Sequence, residues 1–277
     1  MSLFITSLNS GSNGNCYYIG NEHDAVLVDA GISCRETEKR MSRLGLTMSK
    51  VRAIFVSHEH SDHISGIPVL AKKYQLPVYI TLPTLQSGRL PLDAHLVVHF
   101  APFQVISIGE LQITPFPKLH DASNPHSFIV KSQSIQVGIF TDIGIACGQV
   151  IHHFSQCHAA FLEANYDDDM LDKGNYPYHL KRRIRGGYGH LSNKQAIELF
   201  ITHKPPYMSH LLLSHLSKNN NDPRLVKELF DNCAGNTNII VASRFEETAV
   251  YHVGSKGEEK DNAQRQYQEK SYQATLF

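Results

Sequence analysis

The sequence predicts an α/β fold of two sheets held between helices, and three observations predict it. Short runs of β-forming residues recur through the first sixty positions. A second series of such runs begins near residue 96. Segments with helical spacing of apolar residues accompany each series.

In the first series, "FITSL" (4–8), "CYYIG" (16–20), "AVLVDAG" (25–31) and "AIFVS" (53–57) are short, rich in β-branched and aromatic residues, and bounded by turn residues. "GSNGN" at 11–15 is the turn between the first two. Residues 33–45 and 65–74 carry apolar side chains at helical spacing. In the second series, "LVVHF", "FQVISI", "LQITPF", "SFIVKS" and "IQVGIFTD" are mostly short alternating strands, expected to form a second sheet. Helical spacing resumes over 192–203, and "MSHLLLSH" (208–215) reads as a buried strand. "DPRLVKELFDNC" opens a helix with an Asp cap and a Pro in the first turn. No internal repeat of fixed period is evident, although each half is expected to supply one sheet with its helices. After a domain spanning 1–253, residues 254–277 are polar and charged and are expected to form a flexible tail.

The 277 residues are 42% hydrophobic and 19% charged, an ordinary globular composition that can bury a core. Lys+Arg and Asp+Glu are each 26, so no global basic field announces a polyanionic partner, and nucleic acid would have to meet a local patch. Five scattered cysteines without a C-x-x-C pair argue against a disulfide framework and against a thiolate zinc site. With no basic leader before an apolar stretch and no apolar run near 18 residues, a cytoplasmic, non-membrane protein is expected.

Residues 57–63 read "SHEHSDH". His58 and His60 alternate on one side of an extended segment, and Asp62 and His63 follow where the chain turns from a strand toward a helix. Their side chains can diverge to two adjacent sites. A catalytic ion with an open position takes about three protein ligands, so four donors plus any brought from elsewhere exceed one ion and argue for two. The lone histidines His23, His95, His99, His203 and His252 are expected at the surface or in the core, and His152, His153 and His158 on a helix face.

The full H-x-H-x-D-H after a β run resembles the signature of the metallo-β-lactamase superfamily. The resemblance implies a four-layer αββα sandwich of two mixed sheets, with the metals at one edge. Later elements follow in the family's order over nearly all of 1–253. By resemblance "LHDASNP" supplies His120, "FTDIG" supplies Asp142 as the carboxylate shared by both ions, and "LLLSHLS" supplies His215. One ion is then expected on His58, His60, His120 and Asp142, and the other on Asp62, His63, Asp142 and His215. Asp29, at the end of "AVLVDAG", occupies the family's early-aspartate position and is expected to buttress the metal loop. Zn²⁺, Mn²⁺ and Fe all suit this donor set.

Two ions about 3.5–4 Å apart can hold a bridging hydroxide and stabilise charge on a scissile group, so hydrolysis follows. His60, where flavo-diiron oxidoreductases carry Glu, argues against redox chemistry. Asp142, where many antibiotic-degrading lactamases carry Cys, argues against β-lactam hydrolysis. "YGHLSNKQAIELF" (188–200) resembles the nuclease branches, the ribonuclease Z type included. Together with "SGSNGNCYYI", "LEANYD", "YPYHLKRRIRGGYGHLSN" and "HLSKNNNDP" it resembles the YycJ (WalJ)-like exonuclease subgroup.

That resemblance implies a two-metal phosphodiesterase degrading DNA from the 5′ end. His190 is expected to protonate the leaving oxygen, Asp62 to serve catalysis as well as metal binding, and Glu163 to orient His190. The basic stretch Lys181, Arg182, Arg183 and Arg185, set among Tyr176, Tyr178 and Tyr188, offers phosphate contacts and stacking faces. Ser12, Asn13, Lys218 and Asn219 are expected at a terminal phosphate. "QATLF" (Gln273–Phe277) resembles the peptide by which bacterial replication and repair proteins dock on the sliding clamp. The rival expectations are an RNA-processing nuclease, a small-molecule phosphodiesterase, and a non-catalytic metal-containing module that binds DNA or the clamp.

Overall fold

The computed structural model describes residues 2–254. The tail beyond Gly254, and with it the Gln273–Phe277 peptide, lies outside the described residues. The first half contributes strands β1 (Leu3–Asn9), β2 (Cys16–Gly20), β3 (Ala25–Val28), β4 (Val51–Phe55), β5 (Val78–Tyr79) and β6 (Val97–Val98). Its helices are α1 (Cys34–Arg43), α2 (Ser61–Ile64), α3 (Ile67–Tyr74) and α4 (Leu82–Gly88). The second half contributes β7 (Ile106–Ile108), β8 (Leu111–Pro117), β9 (His126–Ser132), β10 (Ile135–Phe140), β11 (Ala159–Glu163), β12 (His210–Ser214) and β13 (Asn238–Val241). Its helices are α5 (Gly148–Phe154), α6 (Asp168–Lys173), α7 (Tyr178–Arg185), α8 (Asn193–His203) and α9 (Pro223–Asp231), after which β14 (Tyr251–Val253) returns to the first sheet.

The two seven-stranded sheets run β14-β1-β2-β3-β4-β5-β6 and β13-β12-β11-β10-β9-β8-β7. In each, an antiparallel meander gives way to parallel strands, at β3/β4 in the first sheet and at β10/β11 in the second. The sequence-based grouping needs one correction. "LVVHF" holds β6, which pairs with β5 at the edge of the first sheet, so the second sheet begins at β7.

Three apolar cores define four layers. Phe55, Val26 and Tyr17 meet Phe128, Val137 and Phe161 between the sheets. Leu70, Met41 and Ile54 pack α1 and α3 on the first sheet, while Phe154, Phe200 and Phe230 pack α5, α8 and α9 on the second. Strands covered on both faces need apolar residues at successive positions. The "LLL" of β12 shows it: Leu211 and Leu213 face the helices and Leu212 faces the other sheet.

The helix boundaries follow local chemistry. Ser33 caps α1, and Asp222 with Pro223 starts α9, its carboxylate accepting from the amides of Arg224 and Leu225. Ser192 and Gln195 form a complete capping box on α8. Ser192 therefore accounts for the helix start, and His190 is free of that duty. The helices over 82–88, 168–173 and 178–185 are additions to the sequence reading. They are short and their apolar faces small: Leu171 and Ile184, with Tyr166, form a satellite cluster beneath α6 and α7. Among the described residues no helix is long and apolar enough to cross a membrane.

Candidate metal centre

Parallel strands deliver their C-terminal ends to one edge of the sandwich, and the polar loops gather there. Asp29 follows β3, "SHEHSDH" follows β4, Asp142 follows β10, Glu163 ends β11 and His215 follows β12. Asp29, Asp142 and His215 all have positive φ (59°, 54° and 57°), a conformation uncommon for residues with a Cβ. Each turns its side chain sharply back to the edge. Two glycines allow the loops to close. A Cβ on Gly31 would lie 1.7 Å from the Asp62 carbonyl oxygen, and one on Gly144 would lie 2.1 Å from that of Gly187.

The seven expected ligands converge. His58, His60 and His120 can present nitrogens within 4.8 Å of one another, and His58, His63 and Asp142, and likewise Asp62, His63 and His215, can present ring nitrogens and a carboxylate oxygen within the same distance. His58 Nε2 stands 3.0 Å from His60 Nδ1. Asp142 lies between the groups, with Oδ2 3.2 Å from His63 Nε2 and Oδ1 3.5 Å from His215 Nε2 and 3.8 Å from His120 Nε2. His215 Nε2 is 3.3 Å from Asp62 Oδ2.

The opposite ring nitrogens are engaged elsewhere, which orients the free ones inward. His63 Nδ1 donates to Asp29 Oδ2 (2.7 Å), and His120 Nδ1 donates to the Gly189 carbonyl (3.0 Å). His215 Nδ1 donates to Glu163 Oε1 (3.2 Å). His58 Nδ1 lies 2.9 Å from the Ser57 hydroxyl, which itself donates to Asp29 Oδ2 (2.7 Å). Asp29 thus buttresses the loop, since its Oδ1 also accepts the Ser57 amide (2.8 Å).

Glu163 is fully buried and does more than hold one ring. Oε1 accepts from His190 Nδ1 (2.7 Å), while Oε2 accepts the amides of Ile143 (2.7 Å) and Leu191 (3.3 Å). His190 is 17% exposed, its ring stacked on that of His215 at 5.3 Å, and its Nδ1 3.9 Å from Asp142 Oδ1.

The chain has relatives in sequence and in fold. The family model for the Beta-lactamase superfamily domain matches residues 24–215. Exodeoxyribonuclease YycJ of Bacillus anthracis is 34% identical over 232 residues, 82% of this chain and 87% of the relative. The chain belongs to the metallo-β-lactamase superfamily, in its YycJ/WalJ group. Exodeoxyribonuclease WalJ of Streptococcus pneumoniae is 31% identical over 229 residues, 80% of this chain and 83% of the relative. Among solved structures, the metallo-β-lactamase fold protein YhfI of Bacillus subtilis superposes with a TM-score of 0.70 at 16% identity, covering 91% of this chain and all (100%) of that one. The short form of human tRNase Z gives 0.61 at 16% identity, covering 90% and 99%. As a member of this superfamily the protein is a metal-dependent hydrolase.

The donor set fits the cations that superfamily membership implies. His120 Nε2 is buried without a hydrogen-bond partner, and Asp142 Oδ2 makes no well-formed hydrogen bond despite its distance to His63. Buried carboxylates of Asp29, Asp142 and Glu163, with Asp62 beside them, need compensating positive charge. In the protein alone the rings supply it. Although burial favours the neutral imidazole, the charges of Asp142, Asp62 and Asp29 raise His63 to about 10, and those of Asp142, Asp62 and Glu163 raise His215 well above its usual value. Burial lowers His120 to about 4 and holds His58 neutral, the form that binds metal. Glu163 falls to about 2, the His190 charge and hydrogen bond outweighing burial.

The expected substrate contacts divide. Arg183 pairs with Asp121, and Arg185 Nη1 with Asp172 Oδ1 (2.7 Å), so both guanidiniums are held by neighbouring acids. Arg182 stacks over Tyr178, with Tyr178 and Tyr188 exposed. Lys181 donates to the Asp172 carbonyl (2.8 Å), and Asn219 meets the Tyr176 hydroxyl (3.3 Å). Ser12 and Asn13 are tied to Arg244: Arg244 Nη2 donates to Ser12 Oγ (2.8 Å), and Asn13 Nδ2 donates to the Arg244 carbonyl (2.8 Å). Lys218 is exposed. His152 and His153 do lie on α5, whereas His158 lies after it and accepts the Gln136 amide through Nδ1 (3.2 Å).

Four contributors escaped the sequence reading. Lys118 is buried, and its ammonium donates to the carbonyl of Thr141, next to Asp142 (2.7 Å). Asp121 places a buried Oδ1 3.3 Å from His120 Nε2. Asn15 Nδ2 lies 3.1 Å from Asp62 Oδ2 and 3.0 Å from His63 Nε2. Arg244 binds the 11–15 turn. Asp121 was legible as the residue following a ligand, and Asn15 lies in the turn marked at 11–15; Lys118 and Arg244 had no local pattern around them.

Proposed function

We propose that the protein is a DNA exonuclease that removes nucleotides from the 5′ end, with His58, His60, His120 and Asp142 holding one divalent cation and Asp62, His63, Asp142 and His215 the other. Zn²⁺ and Mn²⁺ both suit the ring and carboxylate donors. When bound, the cations supply Lewis acidity and an activated water for displacement at phosphorus.

The observation that carries this reading is the His190 arrangement, because peptide-free metal chemistry alone would serve many esters. Its Nδ1 is committed to the buried Glu163 (2.7 Å), which fixes the ring against that of His215 and keeps Nε2 as the nitrogen not engaged by Glu163. Displacement at a phosphodiester forms a bond between water oxygen and phosphorus and breaks that to the sugar O3′. His190 Nε2 gives the departing O3′ its proton, and Glu163 offsets the charge of the doubly protonated ring. The exposed rings of Tyr178 and Tyr188, with Arg182, are suited to stacking and to a strand backbone. Deoxyribonucleic acid as substrate rests on similarity to relatives named exodeoxyribonucleases.

Strands labelled at either end, with Mn²⁺ or Zn²⁺ supplied, test the proposal. The 5′-labelled strand should release labelled mononucleotide from the first turnovers. Asp142→Ala should abolish release, and His190→Ala should lower kcat roughly 10²–10⁴-fold. Cleavage that begins at the 3′ end, a substantial preference for RNA, or wild-type rates in Asp142→Ala would defeat it.

A further inference from the structure

Asp121 directly follows the proposed ligand His120 and faces two ways. Its Oδ1 stands 3.3 Å from His120 Nε2, the nitrogen expected to meet the first cation, and is shut off from solvent without a hydrogen-bond partner among the described residues. Its Oδ2 accepts from Arg183 Nε on α7. An anionic oxygen buried without a donor carries an uncompensated desolvation cost, and a dication beside it removes that cost. His58, His60 and His120 bring their nitrogens together without it, so Asp121 acts on the cation as a neighbouring charge rather than as a further ligand.

The backbone around Asp121 ties the same loop to the segment that carries His190. The Asp121 amide donates to the Tyr188 carbonyl (2.9 Å), His120 Nδ1 to the Gly189 carbonyl (3.0 Å), and the His190 amide to the Ile184 carbonyl near the end of α7 (2.9 Å). Arg183 immediately precedes Ile184, so its ion pair with Asp121 closes a ring that runs from the metal loop through α7 and the 186–189 turn and back. The pair is partly exposed, 55% at Arg183 and 27% at Asp121, and adds little to stability. Its effect is directional: with Oδ2 held by the guanidinium, the carboxylate keeps Oδ1 turned toward His120.

We infer that Asp121 is a positioning residue that links the first cation to α7 and the His190 segment, with Arg183 as the group that aims it. The inference rests on the two-cation nuclease reading and deepens it, because one carboxylate then registers both the ion and the proton donor of the reaction. The link is reciprocal: a cation on His120 gives Oδ1 its missing partner and steadies α7, and a displaced α7 leaves Oδ1 unaimed.

Zn²⁺ titrated into the full chain against a chromophoric chelator, giving stepwise affinities for the two ions, tests the link. Asp121→Asn keeps the side chain's size and removes its charge; it should weaken one ion roughly 10–100-fold and leave the other unmoved. Arg183→Gln should weaken the same ion by a smaller factor. The two substitutions together should bind no more weakly than Asp121→Asn alone, because losing the aim costs nothing once the carboxylate is gone. Both affinities unchanged in Asp121→Asn, or additive losses in the combined variant, would overturn the inference. Arg183→Gln alters a surface side chain and carries the test if Asp121→Asn fails to fold, since unmoved affinities there defeat the link equally. DNA degradation is measured apart. Non-additive Zn²⁺ loss in a chain that degrades no DNA keeps the link and removes the nuclease; degradation by the wild-type chain with additive losses does the reverse.

Discussion

Ser57 shows how much of the site's chemistry lies in residues that never face a metal. Its hydroxyl passes the influence of Asp29 to His58, while Asp29 reaches His63 directly, so one buried carboxylate fixes the tautomers of rings assigned to different ions. Supporting partners of this kind are worth roughly 10–100-fold in metal affinity. Ser57→Ala should therefore weaken binding by about that factor, read by competition with a chromophoric chelator, and an unchanged affinity would mean that Asp29 acts through His63 alone. At this scale the heptad 57–63 was readable because its donors are consecutive, and spacing along a strand and into a helix decides where they point. Glu163 was marked without its full task. It accepts from two rings and two amides contributed by three separate segments, an arrangement that exists only after the second sheet has formed. Lys118 and Arg244 were unreadable for the same reason.

Helix α8 ties stability to the placement of His190. Its capping box begins two residues after that ring, and the Asn193 amide donates to the Tyr166 carbonyl (2.7 Å), anchoring the helix start to the segment leaving β11. Since Glu163 ends β11, cap and anchor together set the distance between the acid and its orienting carboxylate. Removing the cap should cost about 1 kcal/mol. Ser192→Ala is thus expected to lower the denaturant midpoint without changing the slope, and also to reduce kcat with KM little moved. A full-strength kcat in a destabilised Ser192→Ala would show that the cap serves the helix and not the histidine. The strands and the two longest capped helices were legible because periodicity and caps are local signals. The two-residue β5, the brief β13 and β14 and the short α4, α6 and α7 were not, and β6 was read as a strand but grouped with the wrong sheet, because tertiary pairing and packing decide such brief elements.

The whole molecule is two similar halves closed at one edge. Both sheets pass from antiparallel to parallel pairing, and in both the strand at the change, β3 or β10, is followed by Asp-x-Gly with the aspartate at positive φ. A repeat of topology that keeps only an Asp and a Gly in common has no fixed period, which is why the sequence alone did not show it. The proposed ligands come from both halves, so bound cations would clamp them together. Ligands that bind only the folded form at 100 times their dissociation constant add about 2.7 kcal/mol. For a chain of this size that is a rise of roughly 5–10 °C in Tm. Chelation should lower Tm by about that amount, and metal should restore it. An apo protein melting at the loaded temperature would place the clamp elsewhere.

Gly31 and Gly144 extend this to the history such a site can have. At both, the neighbouring loop occupies the space a methyl group would need, so the active edge is registered by atoms that are missing. Innovation at those two turns is closed, whereas the exposed side chains of α6, α7 and the 243–250 segment can be recharged without entering that space. Divergence of substrate preference among chains built this way should be written in those outer segments, around a hydrolytic centre that cannot drift.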